Sequence, residues 1–212
     1  MAPIAFRPEQ DLMSAFATPI VRVPVLQANS INPDLKAAIL QREGKDPPRA
    51  RSNHGGWQSQ SDLLTWPIPE VKVLTEAIYE AVRQVQKTVC EVKGKQFDLM
   101  LNAWANVSRQ GAYHSRHSHA TAHWSGVYYV EAGAPNPEWP KSGTLEFFDP
   151  RERVECAGLP GAPFGKSIGL TPETGTLTVF PSWLYHSVNP YYGPAERISI
   201  SFNATLKRIE AQ

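Results

Sequence analysis

The stretch "ERISISFNATL", Glu196 to Leu206, decides the fold. Strict alternation puts Ile198, Ile200, Phe202, Ala204 and Leu206 on one face of a strand and Arg197, Ser199, Ser201, Asn203 and Thr205 on the other. Two architectures satisfy that pattern. In an ordinary half-exposed sheet the polar face looks to water. In a barrel flanked by helices the apolar face packs outward on the helices and the polar face lines an interior cleft, where Arg197 needs an anionic partner.

The order of elements upstream favours the second architecture. "NPDLKAAILQREG" predicts a helix with Asn32 as N-cap, Pro33 at the first helical position and Gly44 as the stop. From Pro69 to Gly94, Val71, Leu74, Ile78, Val82, Val85 and Val89 recur at helical spacing, with Lys72, Glu76, Glu80, Arg83 and Lys87 between them. After Gly94 the period drops to two. Phe97, Leu99, Leu101, Ala103, Ala105 and Val107 share one face of a strand, with Asn102 and Trp104 on the other. "HWSGVYYV", "GTLEFF" and "GTLTVF" read as further strands between Gly- and Pro-rich loops. The expected class is mainly β with supporting helices, as a single domain over 1–212. Residues 1–95 would hold an N-terminal strand and the helices, and residues 96–206 the β core.

Composition bounds the function. The chain has 212 residues, 42% of them hydrophobic, which is enough for a sizeable core, and a formal net charge of +1 with no long charge run. No nucleic-acid footprint follows from that balance. No apolar run approaches a membrane span, and the start lacks a basic-then-apolar leader, so the "NVS" and "NAT" sequons read as chance matches. Two cysteines, Cys90 in a helix and Cys156 in a loop, are too few for a disulfide framework. A reduced, cytoplasmic setting is expected.

The chemistry-bearing residues concentrate in "HSRHSHATAHW", which holds four of the six histidines. His117 and His119, two apart, reach one ion if the backbone between them is extended, and His186 in "PSWLYHSV" is the histidine that remains downstream to join them. His114 competes for either place in the pair. Like His123, it otherwise reads as an ordinary polar-loop histidine. Other metal and nucleophile motifs fail on spacing. There is no H-E-x-x-H, no G-x-S-x-G and no cysteine zinc set, and Thr121 and Ala122 stand where a metallo-β-lactamase-like H-x-H-x-D-H would need Asp and His.

Taken together, "HSHATAHWSGVYYV", "SGTLEFFDPR", "GTLTVFPSWLYHSVNP" and "ERISISFN" resemble a 2-oxoglutarate- and Fe(II)-dependent oxygenase over roughly Phe97 to Leu206. The nearest pattern is a poorly characterised branch of that superfamily with H-x-H, SGVYY, F-P-S-x-L-x-H and R-I-S-I-x-F-N in order. "SNHGGWQSQSDLL" near residue 55 also fits it. The resemblance implies a double-stranded β-helix, a jelly-roll barrel with the N-terminal helices packed on one sheet. It also implies Fe(II) as cofactor and 2-oxoglutarate as cosubstrate. His117 takes the first iron-ligand position and His186 the distal one. Arg197, eleven residues after His186, takes the position that pairs with the far carboxylate of 2-oxoglutarate, and Ser199 completes the Arg-x-Ser motif. Tyr129 matches a strand tyrosine that hydrogen-bonds the cosubstrate, and Asn102 faces the same interior.

One departure stands out. The superfamily places Asp or Glu where this chain has His119. His119 is then a third neutral ligand, or solvent fills the place, or a carboxylate such as Glu146 or Asp149 swings in. The implied reaction is oxidative decarboxylation of 2-oxoglutarate coupled to hydroxylation of a substrate that the sequence does not name, small molecule or peptide. Trp57, Trp104, Trp124 and Trp183 are available to shape the pocket, though each reads first as core. Two rivals remain: a cupin-like three-histidine metal enzyme that does not use 2-oxoglutarate, and a non-catalytic jelly-roll binding module.

Overall fold

A computed structural model of the protein describes residues 7–11, 16–49, 51–90, 97–134, 136–152, 165 and 167–208. The elements run α1 (Pro8–Asp11), β1 (Val21–Pro24), α2 (Ala28–Glu43), β2 (Asn53–His54), β3 (Trp57–Gln58), a 3-10 turn at Leu63–Thr65 and α3 (Pro69–Val89). They continue through β4 (Phe97–Ser108), β5 (Tyr113–His117), β6 (Trp124–Glu131), β7 (Leu145–Phe147), β8 (Ile168–Leu170), β9 (Thr176–Pro181), β10 (His186–Val188) and β11 (Arg197–Arg208).

The strands form two antiparallel sheets. The larger is ordered β1-β9-β6-β11-β4-β3 and the smaller β2-β5-β10-β7-β8. This is the jelly-roll arrangement expected from the sequence, as two facing sheets. Among the described residues no strand pair closes them into a continuous barrel.

The alternation of the last strand is used as the second architecture requires. Ile198, Ile200, Phe202 and Ala204 are buried with Leu99, Ala103, Ala105 and Val107 of β4 against α2 and α3. The helices contribute Ile31, Leu35 and Ile39 from α2 and Val71, Leu74, Ile78, Val82 and Val85 from α3 to the same core. Each fully buried aliphatic side chain is worth about 1.5–3 kcal/mol, so this layer fixes which face of the larger sheet is left for the cavity. A second, smaller core joins the two sheets through Val127, Tyr129, Leu145, Phe147, Phe180 and Leu184.

Three local expectations need correction. Helix α2 starts at Ala28, after Gln27, so Asn32 is not its N-cap and Pro33 lies inside it. The Asn32 side chain is taken instead by the Tyr128 hydroxyl, which donates to its Oδ1 at 2.6 Å and ties α2 to the sheet. Helix α3 ends at Val89, and Val89 itself is exposed while the rest of its stripe is buried. Cys90 is the residue after that helix and carries a free thiol, whereas Cys156 and Gly94 lie outside the described residues. Among the described residues no helix is long and apolar enough to cross a membrane.

Candidate metal and cosubstrate site

The sheets enclose a cavity of about 800 Å³ floored by the polar face of the larger sheet. Register defines its rows. Arg197 lies opposite Ser108. Ser199 is flanked by Asn106 and Tyr129, Ser201 by Trp104 and Val127, and Asn203 by Asn102 and Ser125. Successive rows are two residues apart, roughly 7 Å along the strand.

Histidines from two distant parts of the chain meet over this floor. His186 and His117 are direct partners across the β10–β5 ladder, with ring centres 4.3 Å apart. His119, just past the end of β5, stands 5.1 Å from His117 and 5.3 Å from His186, centre to centre. One ligand atom from each of the three lies within 4.8 Å of the others. The backbone N–H of His119 donates to Ser182 O at 2.8 Å, which docks the end of the His-x-His segment on the turn before His186.

Backbone carbonyls fix the tautomers. His117 Nδ1–H donates to Ser115 O at 2.7 Å and His186 Nδ1–H to Leu184 O at 2.9 Å. In a neutral ring this leaves the Nε2 lone pair free for a metal. The Ser52 hydroxyl lies 3.3 Å from His117 Nε2 and 3.5 Å from His114 Nδ1. His186 is wedged between rings, 4.8 Å from Phe180 and 6.3 Å from Phe147. Burial pushes the His186 imidazole down to about 3 and, with His117 adding repulsion, His119 down to about 4. Burial also lowers His117, against its backbone hydrogen bond. All three are therefore neutral at neutral pH, the form that binds a metal.

His114 also faces the cavity, although it lies an odd three residues before His117. A bulge between the His186 and Val188 pairings absorbs the extra residue and turns both rings inward. His114 stands outside the three-histidine cluster; burial, then the charge of Arg197, pushes it down to about 3. His123 fixes the strand ends instead: its Nδ1 accepts the Leu206 N–H at 3.1 Å.

Neither candidate carboxylate points in. Glu146 lies opposite Ser187, is held by Ser167 and lies 3.7 Å from Lys141. Asp149 is paired with Arg151 and accepts the Gly165 N–H at 2.9 Å. Three imidazoles are thus the donor set among the described residues.

At the other end of the floor Arg197 is 1% exposed. Its guanidinium carbon lies 5.1 Å from the centre of the Tyr129 ring. Its Nε has no hydrogen-bond partner, and no carboxylate pairs with it among the described residues. Gly143, at φ +66°, lets the side chain lie flat, because a Cβ there would come within 3.1 Å of Arg197 Cδ. Ser199 and Tyr129 are buried in the next row. Burial pushes the Tyr129 phenol up while Arg197 pulls it back.

Asn102 is exposed at the rim, opposite Asn203, and the asparagine beside Ser199 is Asn106, buried with its Oδ1 unpaired. Choosing between two asparagines on one face requires the register, which the sequence does not carry. Ser52, Gln58, Arg49 and Arg51 also line the cavity unannounced, although they belong to or adjoin the "SNHGGWQSQ" stretch. Of the tryptophans, Trp104 lines the cavity, Trp57 and Trp124 are core, and Trp183 is exposed.

Comparison with known proteins agrees with this geometry. Residues 102–203 match the family model described as "Putative 2OG-Fe(II) oxygenase". No curated protein matches the chain in sequence. Among solved structures, a Pseudomonas putida prolyl-4-hydroxylase is 19% identical with TM-score 0.59, over 90% of this chain and 93% of that one. HygX from Streptomyces hygroscopicus, solved with nickel and 2-oxoglutarate bound, is 10% identical with TM-score 0.56, over 89% and 83%. The α-ketoglutarate-dependent carbocyclase SnoK of nogalamycin biosynthesis is 10% identical with TM-score 0.62, over 88% and 79%. At such identities these structures establish the shared fold. The segment 102–203, which holds all three clustered histidines and Arg197, is thus similar in sequence to that family of 2-oxoglutarate/Fe(II)-dependent oxygenases, and the chain shares their fold.

Proposed function

We propose that the protein binds Fe(II) through His117, His119 and His186 and 2-oxoglutarate through Arg197, and hydroxylates a substrate C–H bond. The observation that carries this reading is Arg197: a buried guanidinium with an unpaired Nε, in the same cavity as three convergent neutral imidazoles. A buried charge of this kind calls for an anion, and a planar guanidinium receives a carboxylate through two parallel hydrogen bonds. The hydroxyls of Ser199 and Tyr129 offer further donors near that carboxylate.

The donor set fits iron. Imidazole suits Fe, Zn, Cu and Ni alike, and three protein ligands leave positions open. Without a carboxylate ligand the metal's double positive charge is uncompensated by the protein. A dianionic cosubstrate supplies that compensation at one end and pairs with Arg197 at the other. Bound there, Fe(II) and 2-oxoglutarate would supply the chemistry by which dioxygen oxidises both partners, one oxygen atom entering the succinate formed with carbon dioxide from 2-oxoglutarate and the other the substrate hydroxyl. The chain's part is to orient: backbone carbonyls set the imidazole tautomers, and Gly143 and Tyr129 hold the guanidinium flat.

Hydroxylation is chosen because the prolyl-4-hydroxylase relative matches over most of both chains; epimerase- and carbocyclase-type outcomes are known among the other similar folds. Three imidazoles alone fit a metal enzyme without 2-oxoglutarate equally well, and Arg197 is what disfavours it. A reducing, cytoplasmic setting suits the free Cys90 thiol.

Calorimetric titration of 2-oxoglutarate into protein loaded with redox-inert Ni(II) tests the reading. Saturable binding that Arg197→Met abolishes is expected. Absence of binding to the unaltered protein overturns it.

A further inference from the structure

One wall of the cavity is a crossing between the sheets. β2 belongs to the smaller sheet and β3 to the larger, with Gly55 and Gly56 between them. The crossing needs small residues, because a Cβ on Gly56 would stand 2.9 Å from the Val107 carbonyl oxygen. The approach to it is pinned along its length. Arg49 N–H donates to Gln58 O at 3.0 Å, Ser115 N–H to Ser52 O at 2.9 Å, and Arg51 N–H to Asn53 Oδ1 at 2.9 Å.

This wall brings Arg49 and Arg51 to the cavity. Neither pairs with a carboxylate among the described residues, whereas nearby Arg42 is bound to Asp46 and Arg109 to Glu43. No Asp or Glu among the described residues lines the cavity. Its formal charges are three arginines, so the potential inside is positive and a concave, low-dielectric wall concentrates it. Arg197 accounts for one anion. Two guanidinium groups on the wall are left for another.

We propose that Arg49 and Arg51 receive an anionic group of the substrate, a carboxylate or a phosphate, so that the enzyme acts on a small organic anion. The inference rests on the reading above in one respect: Arg197 must be the receiver of 2-oxoglutarate. Trp104 and Val127, which share a row of the floor, offer an apolar surface to the body of such a molecule.

Phenylacetate, phenyl phosphate and the neutral phenylacetamide serve as probes. Each is titrated into Zn(II)-loaded protein held at saturating 2-oxoglutarate, with binding followed by ligand-observed NMR. At least one of the two anions is expected to bind and phenylacetamide not to; which anion binds distinguishes the carboxylate from the phosphate. The double variant Arg49→Gln, Arg51→Gln should weaken that binding about tenfold or more while still binding 2-oxoglutarate. The double variant Arg49→Lys, Arg51→Lys, which keeps both charges, should retain most of it. Binding of phenylacetamide equal to the anions, no binding of either anion, or unchanged anion affinity in the Gln variant overturns the inference. If 2-oxoglutarate fails to bind while Arg49- and Arg51-dependent anion binding persists, the cosubstrate reading fails and the anion site stands.

Discussion

His117 and His186 are direct partners across the β5–β10 ladder, with ring centres 4.3 Å apart, although 69 positions separate them in the chain. The pairing makes the metal site a property of the smaller sheet. Whatever holds that ladder together also holds the ligand geometry.

Replacement of His186 by Ala leaves two imidazoles from one short segment. The variant should purify with little or no bound transition metal, as read by elemental analysis beside the unaltered protein loaded in the same way. Full metal content in the His186→Ala protein would remove the histidine from the site.

Arg197→Met separates stability from function. A buried guanidinium with an unpaired Nε destabilises the ligand-free fold, and an apolar side chain of similar length does not carry that cost. The thermal midpoint of the ligand-free variant should therefore be equal to or above that of the parent. Its 2-oxoglutarate affinity should fall by about 3–5 kcal/mol, the usual cost of removing one partner of a buried charge pair. A variant that melts lower yet binds 2-oxoglutarate normally would show that Arg197 is paired within the protein.

Gly143→Ala tests the bed on which Arg197 lies. A left-handed φ costs an alanine about 1–2 kcal/mol, and the added methyl meets Arg197 Cδ and Tyr191 Cδ2, each at 3.1 Å. Metal content should stay unchanged while 2-oxoglutarate affinity falls. Equal affinity in the two proteins would mean that the guanidinium is not placed by this contact.

The tie between helix and sheet gives a pH signature. Burial raises the Tyr128 phenol to about 12, and the phenol must stay protonated to donate to Asn32 Oδ1. A raised value in the folded state means that this stabilisation is complete below about pH 10 and is lost as pH rises towards 12. Tyr128→Phe should cost about 1 kcal/mol in urea unfolding near neutral pH and flatten the alkaline loss. An unchanged alkaline profile would assign that loss to other groups.

How much of this was legible follows from what each residue needs to know. Alternation in 97–107 and 196–206 is local, so which residues share a face could be read directly; that Arg197 and Ser199 face the cavity needed the order of the elements as well, and Trp104, which reads first as core, lines the cavity. His117, His119 and His186 were legible through the resemblance and through spacing. Asn32 was misread because its side chain answers Tyr128, 96 positions away, and a capping preference is only local. Asn106 and the inward turn of His114 depend on register and on a bulge, which are settled by pairing between strands. β2, β3 and β8 are too short to show a period at all.

The central claim is that one cavity holds a metal on three histidines and a cosubstrate carboxylate on Arg197. Anaerobic titration with Fe(II), then 2-oxoglutarate, watched by visible absorption, tests both at once. The account predicts a charge-transfer band that appears only when both are present, saturates at a stoichiometric amount of iron and is absent from Arg197→Met. Stoichiometric iron binding with no band at saturating 2-oxoglutarate would contradict it.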